Sequence, residues 1–457
     1  YLDNLQKKNG LNVKYGKWEK EGKGNEIVSI KVDGKRVKTE IDGSLMKVWL
    51  NSDMKPNAKI HIELVFKTHY SKGGNTRRRM KSYKYKGAKH FNGPHWYPRL
   101  AVYDRKFGWC TDQHLGREFY GDFGNFRVSL DMPANFVVEA TGVLQNRKEV
   151  LPDTLREKLD ISNYWTHKWD TAITYNIPID SGERKVWKYF AENVHDFAWV
   201  AGPHYRLHEK KYKGYSTVAL VLEPHCSKWK NACDFSHQVI DVYSRDFGQY
   251  AYPKMVVADC QDGMEYPMLT MDGGGDPGYR GLLAHEIGHN WFYGMVNNNE
   301  TYRAMLDEGF TQFLTAWSLE AIDGKNIFTD PSPNKYIMKH HIPTEVRDRR
   351  TYDGYMVDAM HNHRTEIDVH SDGFNGAVRH GGGYRHVYYK TATMLYAMQY
   401  VLGDSLFQDA MKHYFNQWSF RHPYVEDFRN SIIEYTKVDL NWFFDQWIGT
   451  SKTVDYK

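Results

Sequence analysis

The chemistry-bearing stretch of this chain is His285-Glu286-Ile287-Gly288-His289, two histidines four positions apart with a glutamate beside the first. On a helix, residues four apart share one face, so both imidazoles can aim a ring nitrogen at a single ion. Glu308 follows nineteen positions beyond His289. Two neutral imidazoles and a carboxylate make up the protein ligands of a catalytic zinc, with the fourth position left to water. His285, His289 and Glu308 therefore predict a site for one Zn2+ ion. Glu286 lies between the histidines, poorly placed as a ligand and well placed as a general base towards a water held there.

The residues around this motif carry a resemblance. Asn290-Trp291-Phe292, Leu306-Asp307-Glu308-Gly309-Phe310 and Gly263-Met264-Glu265-Tyr266-Pro267 resemble segments of the aminopeptidase N family of zinc metallopeptidases, which also includes leukotriene hydrolase. The family usually has Gln-Trp-Phe-Gly after the second histidine, where this chain reads Asn290-Trp291-Phe292-Tyr293-Gly294. It usually has Asn where Asp307 stands, and Asp262 and Tyr266 also depart from its pattern. The resemblance implies that Glu265 pairs with the free α-ammonium group of a peptide, while Gly263 and Met264 line the cleft. It also implies a tyrosine donor for the oxyanion. Tyr388, in Tyr388-Tyr389-Lys390-Thr391, is the candidate, with Tyr384 and Tyr389 as neighbouring competitors.

Several elements have to position these groups. Asp272–Gly278 is glycine-rich, and Asp276-Pro277 offers an N-cap followed by proline, so the histidine helix should start near Pro277 and run past His289. Glu308 opens a second helix through Phe313 and Trp317. Upstream, 217–222 and 254–259 read as strands flanking a helical stretch near 228–250. From Tyr1 to about Pro203 the pattern is β. Ile60, Ile62, Leu64 and Phe66 alternate with polar residues, and Asp33-Gly34 suits a hairpin turn. Further strands are expected at 126–130, 136–141, 171–177 and 186–190. A loop-rich insertion is expected from about Asp330 to Arg385, then helices at 389–402, 404–418, 426–435 and 441–447. The expected fold is α+β: residues 1–203 form a β-rich domain resembling the family's saddle, apparently truncated at its start. Residues 204–457 form a thermolysin-like catalytic domain.

Composition excludes other classes. The chain has 457 residues, 15% aromatic, and a net charge of +5. This is too weak a field for nucleic-acid binding, and no apolar run is long enough for a transmembrane segment. The basic run at 77–81 reads as a solvated loop, and Glu118 as a surface carboxylate that could reach the substrate pocket. His361, His363 and His370 lack partners at metal-site spacing. Cys226 and Cys233 read as buried thiols in preference to a pair. Export is favoured over a cytoplasmic location. The expected function is removal of the N-terminal residue from peptides with a free N-terminus. The alternatives are a thermolysin-type endopeptidase and a non-catalytic scaffold.

Overall fold

The computed structural model describes residues 24–72, 80–113, 119–168, 170–177, 182–327, 344–360, 366–368, 370 and 383–453. Arg77–Arg79, Glu118, His361 and His363 lie outside these residues, as does the side chain of Tyr384. The chain forms two compact units, Tyr1–Asp122 and Phe123–Lys457.

The first unit is built from short antiparallel strands. Asn25–Val32 pairs with Lys35–Arg36 through a turn in which Asp33 and Gly34 have φ of 49° and 73°, the left-handed pair that a two-residue hairpin demands. The other edge of Asn25–Val32 pairs with Ile62–Thr68. There Leu64 and Phe66 are half-buried, whereas Ile62 is exposed, so the expected alternation holds over part of its length. Lys38–Asp42 with Leu45–Trp49, and Lys81–Tyr85 with Ala88–Gly93, are further hairpins.

In the second unit Gly124–Pro133 pairs along its length with Arg184–Val194, and Val137–Ala140 pairs with Trp199–Gly202. Next comes a five-stranded mixed sheet, in the order 205–211, 216–222, 254–259, 269–272, 264–266. Ser216–Leu222, Lys254–Asp259 and Leu269–Asp272 run parallel. Their almost unbroken apolar sequences reflect burial on both faces. Met264–Tyr266 is the antiparallel edge strand. Beyond the sheet the chain is mainly helical, through Arg280–Gly288, Glu300–Arg303, Glu308–Asp323, Asp353–Met360, Gly383–Leu402, Asp404–Trp418, Val425–Thr436 and Asn441–Trp447. This is the α+β class expected.

Two expectations need correction. Residues 171–177 are not a strand. Thr174 N–H donates to both oxygens of the buried Glu223 carboxylate (3.0 and 3.1 Å), and Arg206 donates to its carbonyl, so side chains occupy the groups a ladder would use. The 330–385 stretch is more helical than expected: a π-helical turn at Asp348–Tyr352 leads into Asp353–Met360, and the next helix already begins at Gly383. The change of pattern at 203/204 falls between strands 199–202 and 205–211, whereas the compact units divide at Asp122/Phe123. Residues 123–203 are tied to the remainder of the second unit by buried contacts. Lys254 Nζ donates to Glu139 (3.0 Å) and to the Ala140 carbonyl (2.8 Å), and the rings of His195 and Tyr293 are 4.3 Å apart. Cys226 and Cys233 are free buried thiols.

Candidate metal and substrate site

The histidine helix spans Arg280–Gly288, starting later than the Asp276-Pro277 signal suggests. No side chain caps it: Tyr279 stands at the cap position, while the Asp276 carboxylate accepts from Asn231 Nδ2 (2.9 Å) through one oxygen and lies 3.9 Å from Arg280 Nε through the other. His289 stands just beyond the last helical residue but keeps helical dihedrals, φ −59° and ψ −22°, and its N–H bonds to the His285 carbonyl (3.2 Å). The four-residue spacing thus still brings the two rings to one face. Gly288 permits close approach to the second helix: a Cβ there would lie 3.1 Å from Thr311 Cγ2.

Glu308 opens that second helix, and its carboxylate meets both imidazoles. The His285 and His289 Nε2 atoms are 3.1 Å apart; Glu308 Oε2 lies 3.1 Å from the first and 3.4 Å from the second. Ligands at about 2.0–2.1 Å from a tetrahedral zinc stand about 3.3 Å from one another. The three atoms therefore sit at the corners such an ion requires.

The second layer fixes the tautomers. Thr315 Oγ1 donates to the Thr311 carbonyl (2.8 Å), so towards His285 Nδ1, 3.3 Å away, its oxygen is the acceptor. His285 then carries its proton on Nδ1 and presents a bare Nε2. Asp307 does the same for His289, its carboxylate accepting from Nδ1, with Thr311 Oγ1 also 3.3 Å away. In the sequence, Asp307 stands out only as a departure from a pattern, and the threonines escape notice. Positions 308, 311 and 315 share a helix face, and that spacing was the available signal.

Glu286 is buried, and its Oε2 has no hydrogen-bond partner among the described residues. Burial, followed by the neighbouring Glu265 carboxylate, pushes its pKa well up. Gly263 lets the main chain approach it: a Cβ on Gly263 would lie 3.1 Å from Glu286 Oε1 and 3.2 Å from Leu282 Cδ1. Met264 is buried in the edge strand. Glu265 is 4% exposed, so it is no solvated edge residue. Its carboxylate lies within 4.8 Å of ligand atoms of His289 and Asp307.

Tyr388 donates its hydroxyl to Glu308 Oε1, and its ring stacks on His285 with centroids 5.9 Å apart. Tyr389 points elsewhere, against Gly354, with the Arg385 guanidinium 5.3 Å from its ring. Tyr388 reaches the cluster because Gly309, with no side chain of its own, lets its helix come close to the glutamate helix. A Cβ on Gly309 would lie 2.3 Å from Thr391 Cβ and 2.5 Å from the Val387 carbonyl oxygen. His370 packs against Tyr302, ring centroids 4.7 Å apart, and joins no metal-binding group among the described residues. No helix among them is long and apolar enough to cross a membrane.

Comparison with known proteins supports the same region. Aminopeptidase N of Lactococcus lactis subsp. lactis is 27% identical over 168 residues, 36% of this chain and 18% of that protein. A probable aminopeptidase 1 of Sulfurisphaera tokodaii is 24% identical over 177 residues, 36% and 19%. The chain thus matches about a fifth of the length of these curated relatives. Among solved structures, an M1 zinc metallopeptidase mutant from Deinococcus radiodurans bound to a Tyr-Ser-Ala substrate superposes with a TM-score of 0.62 at 14% identity. That match covers 94% of this chain and 85% of that one. Legionella pneumophila aminopeptidase A in complex with aspartic acid gives 0.60 at 16%, covering 93% and 44%. These superpositions show a shared fold. Residues 279–447, the stretch that holds both histidines, Glu286, Glu308 and Tyr388, match the Peptidase family M1 domain.

Proposed function

We propose that this chain is a zinc-dependent aminopeptidase that binds one ion per chain and removes the first residue of peptides with a free N-terminus. The observation that carries the reading is the meeting of three bare ligand atoms at tetrahedral spacing beside an unpartnered glutamate oxygen. His285, His289 and Glu308 would hold the ion. When bound, it supplies Lewis acidity, acidifying a water and polarising the scissile carbonyl. Glu286 takes the proton of the attacking water and passes it to the leaving amine; its buried setting suits an acceptor that must release what it takes. Tyr388 donates to the carbonyl oxygen as charge builds on it. Glu265 pairs with the substrate's α-ammonium and so sets which bond lies over the reacting groups.

Glu265 separates this reading from an endopeptidase, because a buried carboxylate beside His289 calls for a cation and would repel the carbonyl of an upstream peptide bond. The test is hydrolysis of alanyl p-nitroanilide against its N-acetyl form, with metal content measured by mass spectrometry. Stoichiometric zinc and cleavage of the free-amine substrate alone are expected. Equal rates on both would replace the reading with endopeptidase, and metal-free inactive protein would replace it with a scaffold.

A further inference from the structure

The cleft has a direction that can be read from its walls. Along the edge strand, Gly263 stands beside Leu282 and Glu286, whereas Glu265 stands beside His289. The strand and the histidine helix therefore run the same way along the cleft. If Glu265 holds the α-ammonium, the departing part of the peptide extends towards the start of the helix, past Leu282 and Gly281. That end is not bare. A Cβ on Gly281 would lie 2.7, 2.8 and 2.9 Å from Arg350 Nη1, Nη2 and Cζ. A guanidinium thus rests where a side chain at 281 would begin, on the helix face of His285 and one turn before it.

The placement of Arg350 is built into the fold. It lies in the π-helical turn Asp348–Tyr352, a local widening that often re-aims a side chain at functional sites. Its carbonyl accepts a hydrogen bond from Gln312 Nε2 (2.6 Å), which ties the turn to the helix of Glu308. One helical turn is about 5.4 Å. That is roughly the reach from a scissile carbonyl at the ligand cluster to a carboxylate on the next residue.

Resting on the aminopeptidase reading, we propose that Arg350 is a specificity residue on the leaving-group side, recognising a carboxylate on the residue that comes after the scissile bond. The carboxylate is either the α-carboxylate of a dipeptide or an acidic side chain at the second position. Guanidinium binds carboxylate in a planar two-pronged geometry that an ammonium cannot reproduce.

The experiment compares kcat/KM of the zinc-loaded chain for two matched pairs, Ala-Ala with Ala-Ala amide and Ala-Glu amide with Ala-Gln amide. A charged hydrogen bond of this kind is worth about tenfold or more. A ratio of that size in either pair, falling towards one in Arg350→Met and partly kept in Arg350→Lys, supports the proposal, and the responding pair names the source of the carboxylate. Gly281→Ala is a second probe that leaves Arg350 in place. Its methyl displaces the flexible guanidinium and should lower the same ratio. Calorimetric binding of each pair to Glu286→Gln protein should reproduce it without turnover. Ratios near one in the wild type, or ratios that survive both Arg350→Met and Gly281→Ala, overturn the proposal while leaving the aminopeptidase reading intact. Equal cleavage of N-acetylated and free peptides would overturn both.

Discussion

Two buried charge clusters in the second unit differ in how completely they are closed. Around Glu223, both carboxylate oxygens are engaged: by Thr174 N–H, by His167 Nδ1 at 3.1 Å and by Arg206. Arg206 also donates to the Tyr205 and Thr174 carbonyls, at 2.8 and 2.5 Å. Around Glu286, by contrast, Glu265, Asp272 and Glu308 add carboxyl groups, and one Glu286 oxygen has no partner among the described residues. The first cluster balances its charges internally and holds a chain segment in place. The second gathers several carboxyl groups about the two histidines, which suits a site completed by a metal ion and an ammonium group from outside.

The contrast can be broken in order of expected effect. Glu286→Gln should lower kcat by about 10^2–10^4-fold, the range for loss of a general base, with zinc content kept and the urea midpoint not lowered. A fall in midpoint would mean that this carboxyl is structural after all. Arg206→Met should do the opposite. It leaves Glu223 buried without its cation, costing about 3–5 kcal/mol in urea unfolding, while activity per folded molecule stays as it was.

Tyr388→Phe comes next, with a kcat loss of about 10^2–10^3-fold at nearly constant KM. A loss under threefold would move the donor elsewhere. Glu265→Ala should raise KM for aminoacyl anilides by about tenfold to a hundredfold, the worth of one charged hydrogen bond. The smallest effect is expected from Asp307→Asn. An amide oxygen still accepts from His289 Nδ1, so zinc affinity should fall by less than the roughly tenfold seen when such a partner is lost altogether. A larger fall would show that the negative charge, beyond the acceptor, is needed at 307.

The sequence made legible whatever depends on local spacing. The strand 254–259 and the helix 441–447 were placed to the residue by apolar periodicity and by turn residues. The ligand set was readable because a helix converts a four-residue interval into a shared face. The features that stayed hidden depend on groups distant in sequence. Residues 171–177 look like a strand until Glu223 and Arg206, some fifty and thirty positions on, occupy their backbone groups. Asp276-Pro277 looks like a helix start, but Asn231 and Arg280 share the carboxylate and the helix begins only at Arg280. Arg350 gave no local signal at all, since its place over Gly281 is set by a turn held to the glutamate helix through Gln312, some forty positions earlier.

The contact at Gly309 bears on how such a cleft could adapt. Flexible side chains let neighbouring helices slide and re-pack, whereas here Thr391 and the Val387 carbonyl press directly on a residue with no side chain. The spacing of Glu308 and Tyr388 is therefore set by a glycine packed against a β-branched side chain and a carbonyl oxygen, a close fit that makes the two residues one jaw. If the proposed aminopeptidase reading holds, adaptation to different peptides would fall to the opposite wall, the edge strand Met264–Tyr266. Position 309 is closed to mutational drift, because even one added methyl group would wedge that jaw apart.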